Sequence, residues 1–369
     1  MKRTILYVVL AFIVAPIFVS CYQSHKKKLD LAYALVESRP DSALALMKHI
    51  DQEGLSKEEM AKYALTYYIA QDKSGLDLDN DSLIRIAYDW YEGHQEDSLY
   101  VLCLNYMGKF YLLVDSMEQA KSCLEKAYFI SDSLHKMNVK RLVLDKLIEV
   151  EEQLEPYKAL RYAKDMLKMY DSMANVTIYN KVAARLRLGE NFFYVDSLQH
   201  ALEEERKAYR MAMKAGDSNL LSYVRQNLAS TFEEIGEKDS CLYYARLAYD
   251  LNAANRFSCL LTFASAYISV DSLNQAFSLL NQAMPKTAED RYSVFYFQSQ
   301  AAMKAHDFKS AKSFSDSAYH YLEDMYRTAL QGKAAYYTSF LKKESERAKT
   351  QGKAEMQQWV FSLIVLLCL

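Results

Sequence analysis

No stretch of this chain alternates apolar and polar residues with period 2 for long enough to suggest a sheet. Apolar positions fall at helical spacing instead, and only four prolines and nine glycines punctuate 369 residues. The pattern predicts an all-helical protein. Within it one heptad returns. Residues 114–120 read Val-Asp-Ser-Met-Glu-Gln-Ala, 195–201 read Val-Asp-Ser-Leu-Gln-His-Ala, and 270–276 read Val-Asp-Ser-Leu-Asn-Gln-Ala. Before each copy, inside an apolar helical stretch, lies a small residue: Gly108, Gly189 or Ala264. A repeat of this size cannot bury its apolar face alone, so copies must stack.

Setting the heptad's Ala at position 20 of a 34-residue repeat starts copies at Val101, Lys140, Val182, Ser222, Phe257 and Tyr292. Position 20 is then Ala120, Ala159, Ala201, Cys241, Ala276 and Ala311, and position 27 is Ala127, Met166, Ala208, Ala248, Ala283 and Ala318. Position 8 is Gly108, Leu147, Gly189, Ala229, Ala264 and Ser299; position 11 is Tyr111, Val150, Phe192, Phe232, Tyr267 and Ala302. Small residues at three of these positions let two helices approach closely, and the aromatic fills the space beside them. The pattern resembles the tetratricopeptide repeat, strongly at the copies starting at 101, 182 and 257 and poorly at 140. The resemblance implies an all-α, right-handed superhelical solenoid of helix pairs whose work is to present a surface.

The Asp-Ser pair has a local reading. Asp115 or Ser116 can cap the helix that follows, with Glu118 or Gln119 closing a capping box; Asp196 with Gln199, and Ser272 with Gln275, repeat the arrangement. Pro156 stands at the equivalent helix start, where a missing N–H costs nothing. Upstream the same grammar is looser: Pro40-Asp41-Ser42 opens one apolar helix, and residues 57–71 and 81–92 form a further pair. Residues 29–93 therefore read as one and a half degenerate pairs capping an array over 94–320.

The two ends suggest export. Lys2 and Arg3 precede an uncharged apolar run from Ile5 to Val19, followed by Ser20-Cys21. This is the layout of a secretory signal over residues 1–20, too short for a comfortable span. Cys21 at this spot resembles the lipidated cysteine of bacterial lipoproteins, although Phe18 departs from the usual Leu. Ordinary secretory cleavage and an uncleaved anchor are the alternatives. Residues 21–28 read as a basic tether. From Tyr319 the chain reads as a long helix, charged over 321–358, and it ends in eleven residues, 359–369, interrupted only by Ser362. A span needs about 20 apolar residues. The expectation is a truncated transmembrane helix, the alternative an apolar tail folded onto the last repeat.

Forty-five basic and 47 acidic residues leave the chain near neutral, so no net charge recruits nucleic acid. Cys103, Cys123, Cys241 and Cys259 sit at apolar spacings without a Cys-x-x-Cys pair and read as buried free thiols, with a bridge as the alternative in an exported chain. The seven histidines form no His-x-x-x-His, and neither a Gly-rich phosphate loop nor a Gly-x-Ser-x-Gly elbow occurs. No catalytic residue, metal or cofactor is expected.

The repeat family lines its concave groove with first-helix positions 2, 5, 9, 12 and 13. By that resemblance the groove takes Leu102, Asn105, Lys109, Leu112 and Leu113 from one copy, and Ala183, Leu186, Glu190, Phe193 and Tyr194 from another. Tyr223, Gln226, Ser230, Glu233 and Glu234 follow, then Ser293, Tyr296, Gln300, Met303 and Lys304. Tyr194, Tyr223 and Tyr296 are the expected aromatic anchors for a protein or peptide ligand. The groove can equally hold the chain's own N-terminal segment. Together these features resemble bacterial envelope proteins in which a periplasmic repeat domain, held by a lipid, a membrane helix or both, serves as the sensory half of a signalling protein. A stand-alone lipoprotein adaptor or assembly factor is the alternative.

Overall fold

The structure is a computed structural model that describes residues 26–76, 78, 82–95, 98–114, 116–134, 137–173, 176–251, 253–328 and 330. The expected signal segment, Cys21 and the apolar C-terminal stretch lie outside the described residues, as does most of the charged segment before it. Among the described residues every regular element is a helix, and none is long and apolar enough to cross a membrane.

The chain divides into two compact units, Met1–Ala215 and Gly216–Leu369. The first holds α1 (26–35), α2 (Pro40–Met47), α3 (Lys57–Lys73), α4 (Ser82–Tyr91), α5 (Ser98–Leu113), α6 (Met117–Ser133), α7 (Met137–Leu154), α8 (Pro156–Ser172), α9 (Ile178–Tyr194) and α10 (Leu198–Ala215). The second holds α11 (Ser218–Ile235), α12 (Lys238–Tyr249), α13 (Arg256–Ser269), α14 (Leu273–Leu280), α15 (Ala288–Lys304) and α16 (308–328). From α4 onward, short connections fold each even-numbered helix back on the odd-numbered one before it. From α3 to α10, and again from α11 to α15, each second helix also packs against the next first helix within its unit. Residues 26–28, inside the stretch expected as a tether, are helical, and α2 packs on α3. Pro156 opens α8, as expected.

The small-residue register holds where helices of a pair meet. Ala120, Ala159, Ala201, Cys241, Ala276 and Ala311 are all buried. At position 8, Ser299 Oγ donates to the carbonyl of Ala311 at 3.1 Å, so first and second helices touch at positions 8 and 20. The aromatic at position 11 packs across the same gap: Phe232 stacks on Tyr244 with centroids 5.5 Å apart. One copy departs. Helix α14 stops at Leu280, leaving Ala283 in the turn beyond it. The four described cysteines inside the repeats are free; three are buried, and burial holds the thiols of Cys123 at about 11 and Cys241 at about 12.

The Asp-Ser pair does a different job from the one expected. Ser116 and Ser272 make no side-chain capping bond, and Ser197 Oγ instead lies 3.0 Å from His200 Nδ1. Asp115 lies outside the described residues. Asp196 and Asp271 adopt left-handed backbone at φ 57° and 60°, and Gly236 and His306 take the same place in their copies at 87° and 58°. The next N–H then reaches back to position 11: Ser197 to Phe192 at 2.8 Å, Glu237 to Phe232 at 2.9 Å, Ser272 to Tyr267 at 2.9 Å and Asp307 to Ala302 at 3.0 Å. This bond and the shorter one beside it close a Schellman turn, which satisfies the last carbonyls of the first helix. Glycine enters that conformation freely and Asp more readily than most L-residues. At the Asp-Ser copies the motif stops one helix, and Ser116 and Ser272 do not cap the next. In the last copy Asp307 does both, its carboxylate accepting from the Ser310 N–H at 3.1 Å. First helices have side-chain caps at Ser56 with Glu59, Thr177, Asp217, and Thr287 with Asp290.

Candidate binding face

First helices supply the expected groove positions, and the structure divides them into three kinds. Some are core. Helix α5 is buried continuously from Tyr100 to Gly108, which is the mark of a helix wrapped on all sides. Leu102 and Asn105 are therefore buried, Asn105 at 5% exposure. Leu186 on α9 is buried as well.

Others are struts between neighbouring helix pairs. Lys109 Nζ meets Asp72 of α3 at 2.5 Å. In the second unit, Ser265 Oγ of α13 donates to Glu233 at 2.7 Å. Gln226 bonds to Ser258 and accepts from Asn255 Nδ2 at 3.0 Å. Lys304 Nζ reaches the end of α13, at 2.6 Å from the Ile268 carbonyl and 2.9 Å from Asp271. These contacts draw consecutive first helices together and fix their polar side chains before any ligand arrives. Burial raises the Glu233 carboxyl above its ordinary range, opposed by the Ser265 hydroxyl and reinforced by Glu234.

The third kind is open. Tyr194 closes α9 at 57% exposure, and Leu113 stands exposed at the end of α5. Tyr223 on α11 and Tyr296 on α15 are also exposed, as are Gln300 and Met303. Tyr296 stacks on Tyr292 at 6.1 Å, which holds its ring in place. Leu112 and Glu190 are half-buried, and Glu190 faces Arg187 at 3.5 Å. Each unit by itself thus carries exposed rings beside a fixed polar frame.

One cluster had no sequence signal. Arg187 on α9 approaches Glu152 of α7 at 3.4 Å, and Asn191, fully buried, donates to the same carboxylate at 2.8 Å. Burial raises the Glu152 carboxyl, while Arg187 and Asn191 pull it down. Its members are separated by 35 and 39 residues, so only the packing of α7 on the next pair brings them together. A second unforeseen cluster lies under α8. Glu151, with no exposed side chain, sits between Lys121 at 3.3 Å and Lys158 at 2.9 Å. Buried pairs of this kind gain their geometry from the fold and add little net stability. A hollow of about 560 Å³ on the first unit is lined by Arg185, Lys207, Arg210 and Lys214 with Tyr209, Met211 and Met213.

Comparison with known proteins places the fold. No family model matches the chain, and no curated protein sequence does. Among solved structures it is similar to the apo form of RapI, with a TM-score of 0.62 at 13% identity over 85% of this chain and 95% of that one. It is similar to NprR in complex with its cognate peptide NprX, with a TM-score of 0.55 at 15% identity over 78% and 86%. A signal transduction ATPase with a tetratricopeptide repeat sensor from Pyrococcus horikoshii matches with a TM-score of 0.58 at 12% identity, over 83% of this chain and 47% of that one. The fold is a tetratricopeptide-like stack of helix pairs.

Proposed function

We propose that this chain is a non-enzymatic scaffold that binds a peptide segment of a protein partner on its first-helix face. The observation that carries the reading is the division of that face into pinned polar side chains and open aromatic rings. Lys109, Gln226, Glu233 and Lys304 are already held by neighbouring helices. Tyr194 in the first unit, and Tyr223 and Tyr296 in the second, are exposed. A ligand meeting such a face orders few side chains, and aromatic anchors concentrate binding energy in a few contacts. The peptide complex of NprR, a neighbour in fold, is in keeping with this use. Selection of a displayed peptide library on the purified chain tests it. Binders should be lost on Tyr194→Ala or on the double change Tyr223→Ala with Tyr296→Ala, while helicity stays unchanged. Binders indifferent to all three substitutions would move the working surface elsewhere.

In the same proposal the repeat region faces the periplasm of a bacterial envelope and serves a membrane-anchored signalling protein. Its support is the sequence: Lys2-Arg3, the apolar run to Val19, Ser20-Cys21, and the apolar stretch 359–369. Labelling with a radioactive fatty acid should mark the wild type and not Cys21→Ala. A mature wild-type protein without label sinks the lipid anchor.

A further inference from the structure

Two of the tyrosines at repeat position 28, Tyr128 and Tyr249, each receive two things from the helices that follow; Tyr209, at the same position, is half-buried at the hollow lined by Arg210 and Lys214. Tyr128 on α6 has the ammonium of Lys140 over its ring at 4.7 Å and Tyr162 edge-on at 5.3 Å. Tyr249 at the end of α12 has the guanidinium of Arg256 at 4.2 Å and the ring of Phe263 at 5.6 Å. A cation and an aromatic ring thus cover each of them, a desolvated pairing that favours stacking. Met284, at the same position, stands beyond the end of the short α14 and is exposed.

Tyr319 on α16 is the same position in the last described pair, and it is 66% exposed. It is one member of a stripe. Phe308 at 62%, Tyr326 at 69%, Leu322 and Leu330 are all exposed, and Lys312 joins them with its side chain 76% exposed. At about 100° per residue these six fall within roughly 80° of one another around the helix, on the edge where a following pair would stack. Their spacing follows a coiled-coil seam, with an extra residue only at Leu330.

We propose that this stripe is the contact between two copies of the chain, paired through antiparallel α16 helices about a two-fold axis at Tyr319. The sequence of the stripe is complementary to itself in that arrangement. With Tyr319 opposite Tyr319, Phe308 meets Leu330 of the second copy and Lys312 meets its Tyr326, each pair occurring twice. Each exposed tyrosine of the stripe then gains one of the two contacts that Tyr128 and Tyr249 have inside the array: a ring for Tyr319 and a cation for Tyr326. The ion pair of Lys312 with Asp316, at 2.6 Å and exposed, is weak enough to yield. A two-fold contact of this kind closes on itself and leaves no second face to propagate.

Sedimentation equilibrium of the full chain in detergent, run over a range of concentrations, is the test. A reversible dimer is expected. Tyr319→Glu should abolish it, Lys312→Ala should weaken it by about five- to thirtyfold through two lost cation–ring contacts, and Lys312→Arg should restore it. All of these side chains are exposed, so helicity should not change. Tyr319→Cys should give a disulfide-linked dimer on mild oxidation, whereas Asp324→Cys, on another face, should match the parent chain. A monomer at every concentration overturns the proposal, as does a dimer that survives Tyr319→Glu. Amide protection of the stripe in a monomer, lost on removal of residues 331–369, would assign the face to the chain's own continuation and overturn it equally.

Discussion

A methyl group added at Gly108 would sit 2.6 Å from Leu124 Cγ and 2.9 Å from its Cδ2, closer than carbon atoms come without something moving. Leu124 is fully buried, so it has nowhere to turn. At Gly189 the same methyl meets Glu205 Cγ at 3.1 Å and the Ala201 carbonyl at 3.4 Å, a tight contact that a small shift relieves. Gly108→Ala should therefore cost about 1–3 kcal/mol in chemical denaturation, as overpacking does, and Gly189→Ala clearly less. Equal costs at the two sites would show that the helices of the α5–α6 pair do not approach as closely as this packing requires. Both glycines were legible in the sequence as members of a small-residue register. Their difference was not, because it depends on which side chain faces each of them across the pair.

The helix ends follow two rules at the scale of the element. Four first helices, α3, α9, α11 and α15, begin with side-chain caps, as at Ser56, where the hydroxyl accepts from Glu59 N–H and Glu59 returns a bond to the Ser56 N–H. Helices α9, α11, α13 and α15 end in left-handed turns, as at Asp196. Ser56→Ala should then cost about 0.5–2 kcal/mol, while Ser272→Ala, whose side chain caps nothing, should stay near zero. Asp196→Val should cost about 1–2 kcal/mol, because a bulky L-residue resists positive φ. Thermal melts of the three variants decide it. A Ser272→Ala loss equal to that of Ser56→Ala would restore the capping role first expected of the Asp-Ser pair. At Ser116 and Ser272 that expectation failed for a physical reason: Asp suits both caps and left-handed turns, and residue type alone does not separate the two.

Within each unit consecutive pairs share interfaces, so stability in one pair leans on its neighbours. Hydrogen exchange on Gly108→Ala should show lost protection in α7 and α8 as well as in α5 and α6. Loss confined to α5 and α6 would mean that the pairs unfold independently. The boundary between the two units, at Gly216, falls between the copies starting at 182 and 222, while the register of small residues runs on into α11 and α12.

What the sequence determined by itself is what is periodic and local. The all-helical class, the pairing of helices, the positions of close approach and the free thiols follow from spacing and residue size, which act within one repeat. The exposed tyrosines at 194, 223 and 296 were legible for the same reason. Tertiary structure decided the rest. Asn105 left the groove for the core because α5 is wrapped on all sides. Gln226 and Glu233 became struts because the next first helix brings Asn255, Ser258 and Ser265 within reach. Burial and partnership arise between segments about 30–40 residues apart, where stacking of one helix pair on the next, and no local preference, sets the neighbours.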